Sequence, residues 1–405
     1  MKPFIKKYWL PDLILAGALS ALAVCISLML WSQVRDLIIP SRIDFWFGGD
    51  SPRVFENLIN FRGDHYRTSV HPLFSLLIAT PTIMLLKLGL SKVQAVTVEM
   101  AVAAALAPAL LYWILRVFLP RLDATVYTLL FLSSAGFMFW FSVPETFAWG
   151  SVSVLLALLA GAVIPRGRHA AAVVLASAFS LSMTLTNWMA GLMAALVSQP
   201  WRTALRSSVY AFALVALLTP VQYLLFPSAG KFLNVGAEQK FMRSESVHTL
   251  PANTATFFVN AVVAPKFEIF QLKEPDQPPR PTLSALTASI GSGGVYGIVA
   301  AVAWVGLLLL GLRALAANAM SSRIAFIVAT VVAGQFILHL FYGDGPFLYA
   351  AHYVPLLIVI AGFASKTKLR PLALGLAITV GIAGGINNLA MFEQASGWLQ
   401  TEAGR

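Results

Sequence analysis

Long apolar runs separated by short polar interruptions make up most of this chain. They fall at 13–32, 72–90, 93–115, 124–141, 147–164, 169–185, 188–197, 205–226, 295–312, 324–341, 347–364 and 371–389. The longer ones can cross a hydrocarbon core of about 30 Å as helices. The pattern predicts an all-α polytopic membrane protein, a bundle of about 11–12 transmembrane helices. Residues 1–405 read as a single transmembrane domain. Within it, 35–92 reads as a first loop with juxtamembrane helices, and 227–292 as a long second polar region. The two runs that meet at Asn187 are short and predict a tight helical hairpin. No internal repeat is visible.

Composition sharpens this picture. A hydrophobic share of 58% and a mean hydropathy of +0.78 exclude a soluble globular chain. The net charge of +11 would suggest nucleic acid in a soluble protein. Here the Lys and Arg residues lie between apolar spans, where they act as topology signals and lipid-headgroup contacts. The single cysteine, Cys25, falls inside the first span, so neither a disulfide framework nor a Cys-based metal site is expected. The basic flank Lys2, Lys6 and Lys7 precedes an apolar run too long for a signal peptide, which predicts a retained first helix with a cytoplasmic N-terminus. Arg116 with Arg121, Arg166 with Arg168, Arg202 with Arg206, Arg313 with Arg323, and Lys366, Lys368 and Arg370 favour the same side. These preferences agree only if 72–90 does not cross but lies along, or re-enters, the outer face. The tail 391–405 then lies outside.

On that topology four outer elements carry the chemically useful residues. The first loop gathers Asp50, Arg53, Glu56, Arg62, Asp64, His65, Tyr66, Arg67 and His71 between Asp50 and Pro72, in a chain only 11% charged. Ionisable groups beside a bilayer are costly unless solvated, paired or used. Asp50 stands just past the membrane, where a carboxylate could deprotonate an acceptor hydroxyl, and Asp-Ser-Pro is equally a good helix start. The stretch HYRTSVHP suits a phosphate or diphosphate, or anionic lipid headgroups, or an Arg67–Asp64 surface pair. His65 and His71 lack the spacing of a metal site. Glu145, within SVPETF, is a second carboxylate or a helix N-terminal charge. The third element offers Lys231, Lys240, Arg243, His248, Lys266 and Lys273, with EPDQPPRP expected to be irregular rather than strand or helix. The fourth holds His339, Asp344, His352 and Tyr353, His352 being a phosphate contact or an interhelical hydrogen-bonding group. Gly291 to Gly297 resembles a phosphate-cradling run only superficially, since no strand precedes it.

Several of these features together resemble the GT-C superfamily of integral membrane glycosyltransferases, which use polyprenyl-phosphate-linked sugar donors. They are the first-loop Asp50, the His71-Pro72-Leu73 motif, the span end LLYWILRVFLPR, Glu145, and PRGRH followed by a hairpin around Asn187. The likeness covers about the first 200 residues. It implies a GT-C-like bundle with Asp50 as general base and Glu145 as second acidic residue. The two would alternatively hold a divalent ion, Mg or Mn. It also implies Arg67 and His71 as phosphate contacts; from the loops themselves Arg53, His65, Tyr66, Lys231, Arg243, Asp344, His352 and Tyr353 complete the expected substrate-binding set. The chain departs from the family in having no DxD pair and in placing Asn187 where relatives commonly have Lys. No large soluble domain follows the last span, so a glycan or lipid acceptor is expected rather than a protein sequon.

The expected enzyme is a multi-pass protein of a bacterial inner membrane. It would transfer a hexosyl or pentosyl unit to an envelope acceptor on the periplasmic side, with inversion. An O-antigen polymerase or ligase, or a lipid or solute transporter or flippase, is the rival reading. Against transport, few charges fall at span centres and no inverted repeat is visible.

Overall fold

The computed structural model describes residues 9–40, 45–234, 236, 250–272, 280–285, 290–318, 322–343 and 345–403. The apolar runs form helices: α1 (Trp9–Ile38), α2 (Ser51–Ile59), α3 (Ser75–Lys87), α4 (Lys92–Arg116), α5 (Arg121–Ser133), α6 (Ala135–Trp140), α7 (Thr146–Val163), α8 (Ala170–Met183) and α9 (Trp188–Ser198). They continue with α10 (Trp201–Leu225), α11 (Leu250–Ala255), α12 (Val295–Asn318), α13 (Arg323–Phe341), α14 (Pro346–Lys366), α15 (Arg370–Thr379) and α16 (Gly385–Ala403). Among the described residues, eight helical stretches are long and apolar enough to cross a membrane. The fold is all-α and polytopic.

Local chemistry sets the boundaries. Ser91 and Gln94 cap α4 reciprocally, Ser91 Oγ accepting from Gln94 N and Gln94 Oε1 from Ser91 N. The expected span 124–141 is broken at Ser134, which leaves helical geometry and caps α6 through Phe137 N. The two halves then take backbone partners from elsewhere, Ala135 N and Gly136 N donating to Val262 O and Ala261 O. The hairpin at Asn187 forms as α8 and α9, joined by the tight turn Leu185–Asn187.

Ion pairs fix one end of the bundle. Asp12, near the start of α1, takes hydrogen bonds from Tyr112 (2.7 Å), Arg116 (3.0 Å) and Arg121 (2.9 Å). Midway and at the far end, Ser20 reaches Ala105 O and Trp31 reaches Thr97, so α1 and α4 run antiparallel. Residues 39–91 therefore leave and return at the same end. Within that excursion α3 has 13 residues, about 20 Å of helix, and makes no crossing of its own. Asp123 with Arg370, Arg323 with Ile164 O and Gln199 with Arg168 O gather the other basic turns at the end marked by Asp12. The opposite end carries residues 45–74, the 142–146 turn and residues 226–234 after α10.

At that opposite end a wall of rings closes the bundle. Phe47 packs on Phe139 (5.5 Å), Phe267 (4.6 Å) and Phe347 (5.0 Å), and Trp46 on Phe139 (5.7 Å) and Phe392 (5.2 Å). An antiparallel hairpin, β1 (Glu268–Leu272) and β2 (Arg280–Ser284), pairs Glu268 with Ser284 and Leu272 with Arg280. Leu283 N donates to Phe45 O, which fastens the hairpin to the wall. Arg280 and Pro281 of EPDQPPRP thus lie in a strand, a correction to the irregular connection expected there. Proline is tolerated because it sits near the end of a two-stranded sheet. The rest of that motif lies outside the described residues.

Candidate functional site

The chain enters the site through a tight turn. Phe47 (φ 54°) and Gly48 (φ 71°) are both left-handed, and Gly49 N donates back to Trp46 O (2.8 Å). Gly49 lies where any side chain would collide. A Cβ there would stand 2.8 Å from Glu145 Oε1 and 3.2 Å from Trp140. The next residue is Asp50, at the N-cap position of α2, with Pro52 in the first turn.

The Asp50 carboxylate does not cap α2. It turns to Arg53, one helical turn on, with Oδ2 paired to Nη2. Glu145 likewise holds the N-cap position of α7 without capping it. Its Oε1 accepts from Ser51 Oγ at 3.1 Å, in a pocket that leaves the residue 5% exposed. The two acidic residues singled out in the sequence therefore meet around residues 49–51. Asp50 is one-third exposed (34%) and Glu145 buried.

Arg53 joins several groups. Its Nη1 approaches Asp64 O at 3.4 Å, its guanidinium lies 5.0 Å from the centre of the Tyr66 ring, and its Nε is buried without a hydrogen-bond partner. Burial works against its charge, but pairing with Asp50 outweighs that and holds it above the ordinary guanidinium range. Arg67 approaches the same ring at 6.0 Å. Burial, and after it the Asp50 charge, raises the Tyr66 hydroxyl above its usual value, so this ring is neutral at pH 7.

Arg53, Arg67, His65 and His71 line one small, open concavity with Val54, Asn57, Thr68, Phe74, Ser75 and Thr146. The two histidines differ in use. His65 is tied at both nitrogens, Nδ1 to Ser75 Oγ (2.7 Å) and Nε2 to Asn60 O (2.9 Å), with its ring against Phe226 (4.5 Å). Because Asn60 O only accepts, Nε2 carries the proton. Burial lowers its pKa, and it braces the loop. His71 Nδ1 faces Met183 O at 2.7 Å and Thr184 Oγ1 at 3.1 Å, which places its proton on Nδ1 and leaves Nε2 a lone pair. Burial, and secondarily Arg67, pushes His71 down to about 3.

Other expected residues scatter. Lys231 is exposed and follows Gly230, whose N and O bond His65 O (3.4 Å) and Thr68 Oγ1 (3.3 Å), so it stands at the rim. Tyr353 turns away, donating to Pro346 O (2.9 Å) and stacking on Phe257 (3.9 Å). His352 packs behind the cavity, edge-on to Phe147, with Nε2 buried and unpartnered beside Gly150 and Asn187. Arg243 and Asp344 lie outside the described residues.

Several contributors carried no signal in the sequence. Ser51 holds Glu145, and Gln222 clamps the loop by donating to Pro72 O (2.6 Å) and accepting from Leu76 N (3.1 Å). Asn57 donates to Asp64 O (2.7 Å). Only the S-P pair after Asp50 hinted at any of them.

No protein-family model matches the chain. No curated protein matches it in sequence. Among solved structures, its path is similar to that of the oligosaccharyltransferase of Archaeoglobus fulgidus. The form tethered to an acceptor peptide containing the NVT sequon gives a TM-score of 0.47 at 12% identity, and the apo form 0.45 at 13%. Each alignment covers 97% of this chain and 56% of that one, so this chain spans just over half the length of those structures. A likeness of this size carries no activity across.

Proposed function

We propose that this chain is an integral membrane glycosyltransferase of GT-C type that moves a sugar from a polyprenyl-phosphate carrier to a hydroxyl of an envelope glycan or lipid. The observation that carries the reading is the pairing of a partly exposed carboxylate, Asp50, with a concavity lined by Arg53, Arg67 and His71. A base beside an anion-binding surface is what glycosyl transfer from a phosphate leaving group needs.

The acceptor hydroxyl attacks the anomeric carbon while Asp50 takes its proton. The bond from that carbon to the phosphate oxygen breaks, and the electron pair leaves with the lipid phosphate. Arg53 and Arg67 face that developing charge, and His71, neutral, shapes the surface beside them. Glu145 positions the 49–51 backbone. One direct displacement inverts the anomeric centre, so a product of retained configuration would count against the scheme. The basic end of the bundle faces the cytoplasm and the site the periplasm of a bacterial inner membrane.

Mass spectrometry of lipid-linked and envelope glycans tests this in cells carrying wild-type protein, a deletion, or Asp50→Ala at equal expression. Loss of one sugar substituent in both altered strains, with its lipid-linked donor accumulating, is expected. An unchanged glycan profile in the deletion strain would sink the reading and bring transport forward.

A further inference from the structure

A carboxylate pair at the mouth of such a site invites a divalent cation, so the fit of these residues to one can be tested directly. Magnesium and calcium require about six oxygen ligands. Here Asp50 Oδ2 is committed to Arg53, and Glu145 Oε1 accepts from Ser51 Oγ at 3.1 Å. Among the described residues no third Asp, Glu, His or Cys joins them in a metal-holding group. With Asp50 Oδ2 held by Arg53, the two carboxylates as they stand do not offer the paired oxygens that a magnesium ion takes alongside waters and a phosphate.

A positive charge already occupies one of these carboxylates. Arg53 is paired to Asp50, within electrostatic range of Glu145, and only 18% exposed. Its direction is fixed by the Asp64 carbonyl on one side and the Tyr66 ring on the other. A guanidinium keeps its charge at any physiological pH and presents its donors in a rigid fork. A divalent ion entering between the carboxylates would have to displace it or stand against it.

We propose that the Arg53 guanidinium is the resident cation of this site, taking the place of a divalent metal, so that the transfer proposed above, on which this inference rests, proceeds without one. Arg53 neutralises Asp50 before the donor binds and faces the phosphate when it leaves.

Two measurements test the assignment. Wild-type protein in lipid nanodiscs is titrated with Mn²⁺, free ion being followed by electron paramagnetic resonance. No specific binding is expected up to about 1 mM, the weak limit of protein cation sites. Arg53→Ala should open the pair and tighten Mn²⁺ binding at least about tenfold, the effect of one removed charge at roughly 1.4 kcal/mol. Adding Glu145→Gln to that variant should abolish the gain. Arg53→Lys, which keeps a cation, should exclude Mn²⁺ like wild type. It also decides the matter together with the wild-type titration if Arg53→Ala does not fold. In the second measurement, sugar transfer in isolated membranes should be unchanged by EDTA.

The assignment is overturned by wild-type protein binding one Mn²⁺ that Glu145→Gln removes, by folded Arg53→Ala binding none, or by transfer that EDTA stops and Mn²⁺ restores. Failure of the glycosyltransferase reading looks different. Transfer is then absent in every condition, while the Mn²⁺ titration still reports which cation the carboxylates hold.

Discussion

Single residues at this site work through space they leave empty as much as through groups they supply. Gly49 is the clearest case, because Glu145 Oε1 and the Trp140 ring fill the position of a side chain. Gly49→Ala should push Glu145 off Ser51 and shift the turn that aims Asp50. Transfer is expected to fall on the order of 100-fold, as for an ångström-scale misplacement of a reacting group, with little change in expression. Near wild-type turnover in that variant would show that Glu145 does not position the turn. His71 gives a test in pH. Its folded-state pKa of about 3 lies below the ordinary 6.5, so the unfolded chain binds a proton that the folded chain refuses. Stability is then full above pH 6.5 and declines as pH falls through the window down to 3, by about 1.4 kcal/mol per pH unit from this residue. His65, also lowered, acts in the same direction. Melting temperatures between pH 7.5 and 5 should fall less steeply in His71→Asn than in wild type, and parallel curves would remove His71 as the cause. At this scale the sequence drew attention to Asp50 by the charged cluster it opens and to Glu145 by its apolar flanks, and the structure brings both to residues 49–51. Ser51, Asn57 and Gln222 were not legible, because an uncharged polar residue in a helix looks the same whether it braces a loop or faces water.

Among elements, the break at Ser134 organises the most. The interrupted backbone between α5 and α6 is met by residues 261–264, and Asn388 of α16 fastens both. It donates to Ser133 O (2.7 Å) and Val262 O (2.8 Å) and accepts from Ala264 N (2.7 Å). Asn387 adds a bond to Ala264 O (2.8 Å). Asn388→Leu, similar in volume, orphans these groups in a fully buried site. The expected loss is about 3 kcal/mol, seen as a lower melting temperature in detergent. An unchanged melting temperature would mean that the break carries no stability. Hydropathy made 124–141 look like one span, since Ser134 is a single small polar residue in an apolar run and the backbone groups at the break find their partners at 261–262 and 388, more than a hundred residues away. The hairpin at Asn187 was legible because its two helices adjoin in sequence.

The whole bundle sorts its charge by end. The Asp12 ion pairs and the turns at 164–168, 198–202 and 366–370 gather at one end, with the cavity at the other. With Cys25 replaced by Ser, Arg62→Cys at the cavity end should react with a membrane-impermeant maleimide in intact spheroplasts. Arg168→Cys should react only after permeabilisation, and the reverse pattern would invert the proposed topology. The charge pattern in the sequence already required 72–90 not to cross, and the antiparallel pairing of α1 with α4 meets that requirement. The wall of rings has a consequence in time. Phe392 on α16 packs against Trp46 and Phe139, and Trp398 against Phe45. These contacts hold the turn that presents Asp50, although they lie some 350 residues further along the chain. A ribosome making this protein threads Asp50 into the membrane some 350 residues before it makes these supports. The turn that presents Asp50 therefore waits for α16 before it can be held in place.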